Sequence, residues 1–175
     1  MSGTSLIRLA VDEMGLLLGA EPKLAQAFDR LQKRATDPDL KKFCRQGVTY
    51  TNRRVRRLKA AFRALGLKAQ AEKSAALPGL IEDALASARG NAAEVRDAAI
   101  LAAIEPISHY GLALYSSIDR YLDGAQAKKA RKILKPILKE KREAIDEMSD
   151  MGGAQVAALE GPSVPKKRAA RRKHR

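Results

Sequence analysis

Three glutamates occupy positions where the surrounding pattern calls for an apolar residue. Glu21, Glu105 and Glu140 each interrupt an apolar stripe with alternating spacings of three and four, which is the spacing of one helix face. A buried, unpaired carboxylate is unfavourable, so each glutamate needs a cation, a hydrogen-bond donor or a metal ion. Carboxylates that converge from several helices build di-iron and di-manganese sites. The alternative is that these glutamates lie at the edges of their stripes and reach water.

The elements that must position these glutamates are helices. Ala, Leu, Lys, Arg and Glu dominate the composition, aromatic residues make up 4%, and no strand-like alternation of useful length occurs. Asp37 followed by Pro38 predicts the start of the second helix, and Gly66 predicts its end. The predicted long helices cover residues 5–34, 38–65, 94–122 and 125–151, and a short helix covers 78–88.

This pattern predicts an all-α four-helix bundle with one short crossover helix. The bundle covers residues 1–152, and residues 153–175 form a disordered basic tail, because the apolar pattern fades after Gly152 and Gly153. Pro22, Pro106 and Pro136 lie inside the long helices. A proline costs roughly 3 kcal/mol in an ordinary helix interior, so we expect a kink or a break at these positions.

Positive charge is concentrated in two segments. The net charge is +14, residues 40–71 hold ten Lys or Arg and no acid, and the last ten residues add seven more basic groups. Such segments attract polyanions, so we predict a non-specific, salt-sensitive affinity for DNA or RNA. The alternatives are a solvated face that pairs with acids of neighbouring helices, and a docking surface for an acidic protein. The predicted nucleic-acid contacts are Arg53, Arg56, Arg57, Lys59, Arg63, Lys166, Lys167, Arg168, Arg171, Arg172, Lys173 and Arg175.

Other classes of function find little support in the residues. Cys44 is the only cysteine, which excludes an internal disulfide and fits a reducing cytoplasm. Asp12 and Glu13 interrupt the N-terminal apolar run, so we predict neither a signal peptide nor a membrane span. His109 is the only histidine before the tail, and a lone histidine on a bundle helix is more often a packing residue than a ligand or base. We therefore expect no nucleophilic catalysis.

Several stretches of the chain resemble the YciE/YciF-type bacterial ferritin-like proteins, in order and over about residues 6–151. The most specific is VRDAAILAA followed by a His-Tyr pair. The resemblance implies an all-α, ferritin-like four-helix bundle, often dimeric, associated with stress responses and suspected of di-metal binding. It brings no established reaction. The matching stretches are AEPKLAQAF (20–28), TDPDLKKF (36–43), TNRRVRRL (51–58), GLIEDA (79–84), VRDAAILAA (95–103) and HYGLALY (109–115).

The departures from the family fall on its metal-facing positions. Gly47 and Tyr50 replace a His and a Glu on the second helix, and Ser108 and Gly111 replace two Glu around the His-Tyr pair. Acidic neighbours on the last helix have become Lys139 and Lys141. Hard iron or manganese ions need oxygen ligands and charge balance, so we predict a degenerate site. Its remnant candidates are Glu21, Glu105, His109 and Glu140.

Arg54 is the predicted replacement for the metal. It lies one turn after Tyr50 and one turn before Leu58, close to the ligand face of the family, so its guanidinium can pair with Glu21 or Glu140. The alternative is that Arg54 is one more surface base. We therefore predict a cytoplasmic, homodimeric, stress-related bundle that is non-catalytic and holds no cofactor. The rival hypotheses are an iron or manganese oxidase or peroxide scavenger, and a structural bundle that binds an acidic protein.

Overall fold

The computed structural model describes residues 2–160, and these form five helices with no strand among them. Four of the helices are long, and the short third helix connects the second to the fourth. The predicted all-α bundle with one crossover helix is confirmed. The helices are α1 (Ser2–Arg34), α2 (Pro38–Ala64), α3 (Ala76–Gly90), α4 (Ala93–Gly124) and α5 (Lys128–Glu160).

The four long helices pack in a ring around one core. Each packs on two neighbours, in the order α1, α2, α5, α4 and back to α1, and α3 lies against α1 and α4. Burial of their apolar stripes is the main source of stability in such a bundle. The largest completely buried side chains include Met14 and Leu17 of α1, Phe62 of α2, Tyr115 and Ile118 of α4, and Ile137 of α5.

Local sequence signals account for the ends of α2. The Asp37 side chain accepts hydrogen bonds from the backbone N–H groups of Asp39 (2.8 Å) and Leu40 (2.9 Å), and Pro38 takes the first helical position. Gly66 follows the helix with a φ of 74°, a conformation that favours glycine. Buried Asp97 of α4 accepts from the backbone N–H groups of Thr36 and Asp37, which fixes the α1–α2 turn to α4.

The three internal prolines do not break their helices. Pro22 lies inside α1, Pro106 inside α4 and Pro136 inside α5, and each helix continues past its proline. All three prolines are exposed. A hydrogen bond lost at an exposed position can be replaced by water, which lowers the penalty relative to a buried position.

α5 differs from its prediction in both length and register. It continues through Gly152 and Gly153 to Glu160, so residues 153–160, which the sequence analysis assigned to the disordered tail, are helical. Residues 153–160 favour the helix because three of the eight are Ala, and Gln155 donates to the Asp37 carboxylate at 3.1 Å. The remainder of the predicted tail, residues 161–175, lies outside the described residues. The buried stripe of α5 is Ala130, Leu134, Ile137, Lys141 and Met148, with Lys141 where Glu140 was predicted.

α4 has the composition of a membrane helix as well as of a core helix. Its most apolar window has a mean hydropathy of 1.2, which by length and composition alone is enough to cross a membrane. In this fold Ile100, Ile104, Ile107 and Ile118 face the bundle core instead. A core helix of a bundle passes the same test, so this window is weak evidence for a membrane span.

Candidate functional site

Glu21 lies at the centre of the bundle, where its carboxylate is bound by two side chains from other helices. The Arg54 Nε of α2 donates to Glu21 Oε1 at 2.9 Å, and the Tyr115 hydroxyl of α4 donates to the same oxygen at 3.0 Å. Arg54 Nη2 also donates to Thr51 Oγ1 at 2.7 Å. All four side chains are buried. The structure thus pairs Arg54 with Glu21, one of the two partners that the sequence allowed.

The protonation states of this cluster follow from its surroundings. Burial acts against the charge of Arg54, but the neighbouring Glu21 and Tyr115 outweigh it and raise the pKa of the guanidinium. Burial, reinforced by the negative charge of Glu21, raises the pKa of Tyr115 well above its usual value. Arg54 is therefore a cation and Tyr115 a neutral phenol that donates its proton to Glu21.

Lys141 brings a second cation from α5 into the same centre. Its residue exposure is 7%, and its Nζ lies 5.6 Å from the centroid of the Tyr115 ring. Burial, together with the charge of Arg54, lowers the pKa of Lys141 to about 8, against the opposing effect of Glu21. The ammonium group is thus charged at neutral pH but is poorly compensated.

Two glycines, at positions where the family resemblance predicts metal ligands, make room for this arrangement. A Cβ at Gly111 would lie 2.6 Å from Lys141 Nζ, so any larger residue there would displace the ammonium group. A Cβ at Gly47 would lie 2.9 Å from three atoms of the Phe28 ring. The two glycines therefore leave space that a lysine and a phenylalanine now fill.

Glu140 lies at the rim of the cluster rather than in its centre. Its Oε1 accepts from Arg57 Nη1 at 2.6 Å and lies 3.8 Å from Arg53 Nη1. The Arg53 guanidinium in turn stacks over Tyr50 at 5.2 Å. Arg53 and Arg57, two of the predicted nucleic-acid contacts, are thus shared with an acid of the neighbouring helix.

Glu105 and His109 lie outside the bundle, which corrects two predictions. Both side chains are 55% exposed, and their nearest polar atoms are 3.8 Å apart on the outer surface of α4. α4 buries Ile104, Ile107 and Gly111, and Glu105 and His109 lie at exposed positions beside them. His109 is therefore neither a packing residue nor a neighbour of Glu21.

The residues at this centre do not fit a di-metal site. Such a site needs several carboxylate and imidazole ligands, whereas the centre combines one buried carboxylate with the cations Arg54 and Lys141. Within residues 2–160 no cluster of three or more His, Cys, Asp or Glu side chains could hold a metal ion. Cys44 offers no alternative ligand or nucleophile, since burial raises the pKa of its thiol to about 12.

A small cleft opens beside this cluster between α1, α2, α4 and α5. Its volume is about 50 Å³. Apolar side chains such as Leu24 and Phe28 form one wall, and Lys141 and Arg54 lie on the polar side. A cleft of this size has room for about three or four water molecules, so it can accept only a ligand of a few atoms.

The outer surface of the bundle carries two basic stripes on adjacent helices. On α2, Arg56, Lys59 and Arg63 are exposed. α5 adds a stripe that the sequence analysis missed, although its alternating spacing of four and three was a readable signal. Its exposed members are Lys128, Lys132, Lys135, Lys139 and Arg142. The basic residues predicted at positions 166–175 lie outside the described range.

Comparison with known proteins gives a consistent set of relatives. A family model described as a domain of unknown function, DUF892, matches residues 8–159. Protein YciF of Escherichia coli K12 is 29% identical over 136 residues, which are 75% of this chain and 81% of that protein. The crystal structure of the E. coli stress protein YciF superposes with a TM-score of 0.82 at 25% identity, covering 86% of this chain and 96% of that one. YcfI of Rhodopseudomonas palustris superposes with a TM-score of 0.78 at 23% identity, covering 82% and 92%.

Opposite changes in stability are expected when the two buried cations are removed. Arg54→Met leaves the Glu21 carboxylate buried without its cation and should lower the free energy of unfolding by roughly 3–5 kcal/mol. Lys141→Met removes a poorly compensated charge with little change in shape. It should raise the free energy of unfolding by up to about 3 kcal/mol at pH 7. Chemical denaturation of both variants and of the surface control Lys139→Met measures these changes. A destabilised Lys141→Met variant would contradict the assignment.

The stability difference between the wild type and Lys141→Met should depend on pH. The pKa of Lys141 is lowered to about 8 in the folded chain from its ordinary value of 10.5. Between these values the unfolded chain holds the proton and the folded chain has released it, so the wild type gains stability as the pH rises. The advantage of Lys141→Met should therefore shrink from about pH 8 upward. Because Cys44 and Tyr115 are present in both proteins, their titration cancels in the difference, and a constant difference would refute the lowered pKa.

Proposed function

The chain belongs to the DUF892 family, and from this starting point we propose that it is a YciF-like helical bundle that holds no metal and acts by binding rather than by catalysis. The observation that carries the proposal is the pair of cations at the centre of the bundle. Arg54 and Lys141 bring two positive charges beside one buried carboxylate, where a di-metal centre needs anionic oxygen ligands.

Electrostatics favours the two cations over a metal ion at this centre. A divalent ion next to Arg54 and Lys141 would meet repulsion from both cations in a medium of low dielectric constant. The Arg54–Glu21 pair takes the structural role of a metal ion instead. It neutralises the buried carboxylate and links α1 to α2. The rival hypothesis of an iron or manganese oxidase would require both cations to leave the centre.

A stress-related role is the second part of the proposal. The related protein whose crystal structure superposes best among those described above is called a stress protein of E. coli. The likeness extends over 86% of this chain, so it is not limited to a shared fragment. The cytoplasmic location that the sequence predicts belongs to the same proposal.

Metal analysis tests the first part. Protein purified without chelator, then loaded with ferrous iron in air and desalted, should contain far less than one iron or manganese per chain because the centre lacks the ligands. Its melting temperature should not change when a chelator is added. Glu21→Gln is the matched control, since it keeps the shape and removes the carboxylate. Two tightly held metals per chain, lost in Glu21→Gln, would overturn the proposal.

Nucleic acid is the partner that we propose for the two basic stripes. They lie on the outer surfaces of α2 and α5, on either side of the Arg57–Glu140 contact that joins the helices. Across residues 128–142 of α5 every exposed charged residue is basic, which suits a row of phosphates. An acidic protein is the alternative partner.

Charge deletions on two faces test the nucleic-acid proposal. Removing Lys132, Lys135 and Lys139 together as alanines should weaken binding of a short labelled DNA duplex about tenfold or more at low salt. It should also reduce the slope of log affinity against log salt by about two to three. Fluorescence anisotropy at about 50 and 200 mM salt measures both quantities.

The control variant removes the same charge from the opposite side of the bundle. Arg8, Lys23 and Arg30 are exposed residues of α1, which does not neighbour α5 in the ring. Their alanine variant should bind nearly as well as the wild type. Equal losses in both variants would attribute the affinity to net charge alone, and no binding at low salt would remove the proposal.

We also propose that two copies of the chain form a homodimer through the outer face of α4. Between residues 98 and 118 this helix has Glu105 as its only acid and no Lys or Arg. Its outer surface exposes small or apolar residues such as Val95, Ala102 and Ala113. A weakly charged helix face of this kind is suited to packing against a second copy around a two-fold axis.

A further inference from the structure

The cleft beside the Arg54–Glu21–Lys141 cluster has a built polar end. Lys141 lines it and is more than nine-tenths buried, and within residues 2–160 its Nζ makes neither a hydrogen bond nor an ion pair. Arg54, Tyr50 and Ser108 line the same space. All four side chains can donate hydrogen bonds, and two of them are cations.

The buried charges at this centre do not balance. Glu21 contributes one negative charge, whereas Arg54 and Lys141 contribute two positive charges. The donors of Arg54 and Tyr115 both go to Glu21 Oε1, whereas Glu21 Oε2 accepts no hydrogen bond within residues 2–160 and Lys141 Nζ forms no ion pair with either oxygen. A buried ammonium group without a counter-ion is unfavourable, and an anion in the cleft would relieve it.

The other carboxylates that line the cleft do not supply this counter-ion. Glu140 Oε1 accepts from Arg57 at 2.6 Å and lies 3.8 Å from Arg53, so two cations of α2 lie against this carboxylate, while its Oε2 accepts no hydrogen bond within residues 2–160. Glu147 is exposed to water, which screens its charge. The positive charge of Lys141 is therefore available to a ligand.

The opposite wall of the cleft is apolar. Leu24 and Phe28 of α1 and Ile107 of α4 line it, and Gly47 leaves the Phe28 ring in place. An inorganic anion would satisfy Lys141 but make no use of this wall. A carboxylate with a short alkyl chain would use both ends, as small-molecule sites generally do.

We propose that this cleft binds a small monocarboxylate, with the carboxylate group at Lys141 Nζ and the alkyl group against Leu24, Phe28 and Ile107. The volume of about 50 Å³ restricts the ligand to a few heavy atoms, so acetate and propionate fit and longer chains do not. The site is independent of the nucleic-acid proposal, because Lys141 is buried and the basic stripes lie on the outer surface.

Titration calorimetry of the full-length protein with acetate, propionate, hexanoate and chloride at constant ionic strength tests the proposal. Acetate and propionate should bind with dissociation constants in the millimolar range, as expected for so few atoms, and hexanoate and chloride at least tenfold more weakly. The complex should also raise the melting temperature, since the ligand binds only the folded chain. Absence of carboxylate binding would overturn the proposal, and so would chloride binding as tightly as propionate.

Three variants locate the site. Lys141→Met should lose at least tenfold in propionate affinity, and Ala144→Leu, which fills the cleft but keeps the lysine, should lose a similar amount. Lys139→Met removes the same charge from an exposed neighbour and should bind as the wild type does. Circular dichroism confirms that each variant is folded. Wild-type affinity in Lys141→Met, or equal losses in Lys139→Met and Lys141→Met, would overturn the assignment.

Discussion

The hydrogen bond and ion pair between Arg54 and Glu21 is the contact on which the centre of this bundle depends. A carboxylate that is 2% exposed cannot stay charged without a partner, and it cannot reach water from the middle of α1. Arg54 supplies the positive charge, Tyr115 supplies a second donor, and Thr51 holds the guanidinium in place. The pair neutralises the buried carboxylate from within the bundle, and the packing around it depends on two glycines.

Close packing explains the two glycines near the pair. Gly111 and Gly47 are the sites where a side chain would collide with Lys141 Nζ and with the Phe28 ring. The absence of a side chain at these positions allows the lysine and the phenylalanine to fill the core, and an interior leaves little empty space. The buried charges do not balance, because two cations face one buried carboxylate. Burial lowers the pKa of Lys141, and the charge of Arg54 adds to this effect, so the ammonium group beside the cleft is poorly compensated.

The sequence predicted the helices well and the centre only in part. Period and capping located Glu21 on the buried face of α1 and placed Arg54 near it, because both lie on long regular stripes. Glu105 was assigned to an inward stripe of α4, but Leu101 and Tyr115 of that stripe are buried whereas Glu105 is exposed, which is the alternative that the sequence left open. On α5 the sequence analysis placed Glu140 on the buried stripe, whereas the structure buries Lys141 there. Gly152 and Gly153 suggested a helix end, but the contact of Gln155 with Asp37 is tertiary and cannot be seen in local sequence.

The cluster also accounts for how four apolar stripes rich in Ala and Leu keep a single register. Each long helix contributes a polar group to one point: Glu21 from α1, Arg54 from α2, Tyr115 from α4 and Lys141 from α5. Sliding any helix by one turn would move its polar group about 5 Å and leave a charge or a hydroxyl buried without a partner. Apolar contacts alone tolerate such shifts, whereas a buried polar network does not, and registry is the best-attested role of buried polar groups. A metal centre imposes the same constraint in a di-metal bundle, so replacing the metal by an ion pair can remove the chemistry and still preserve the fold.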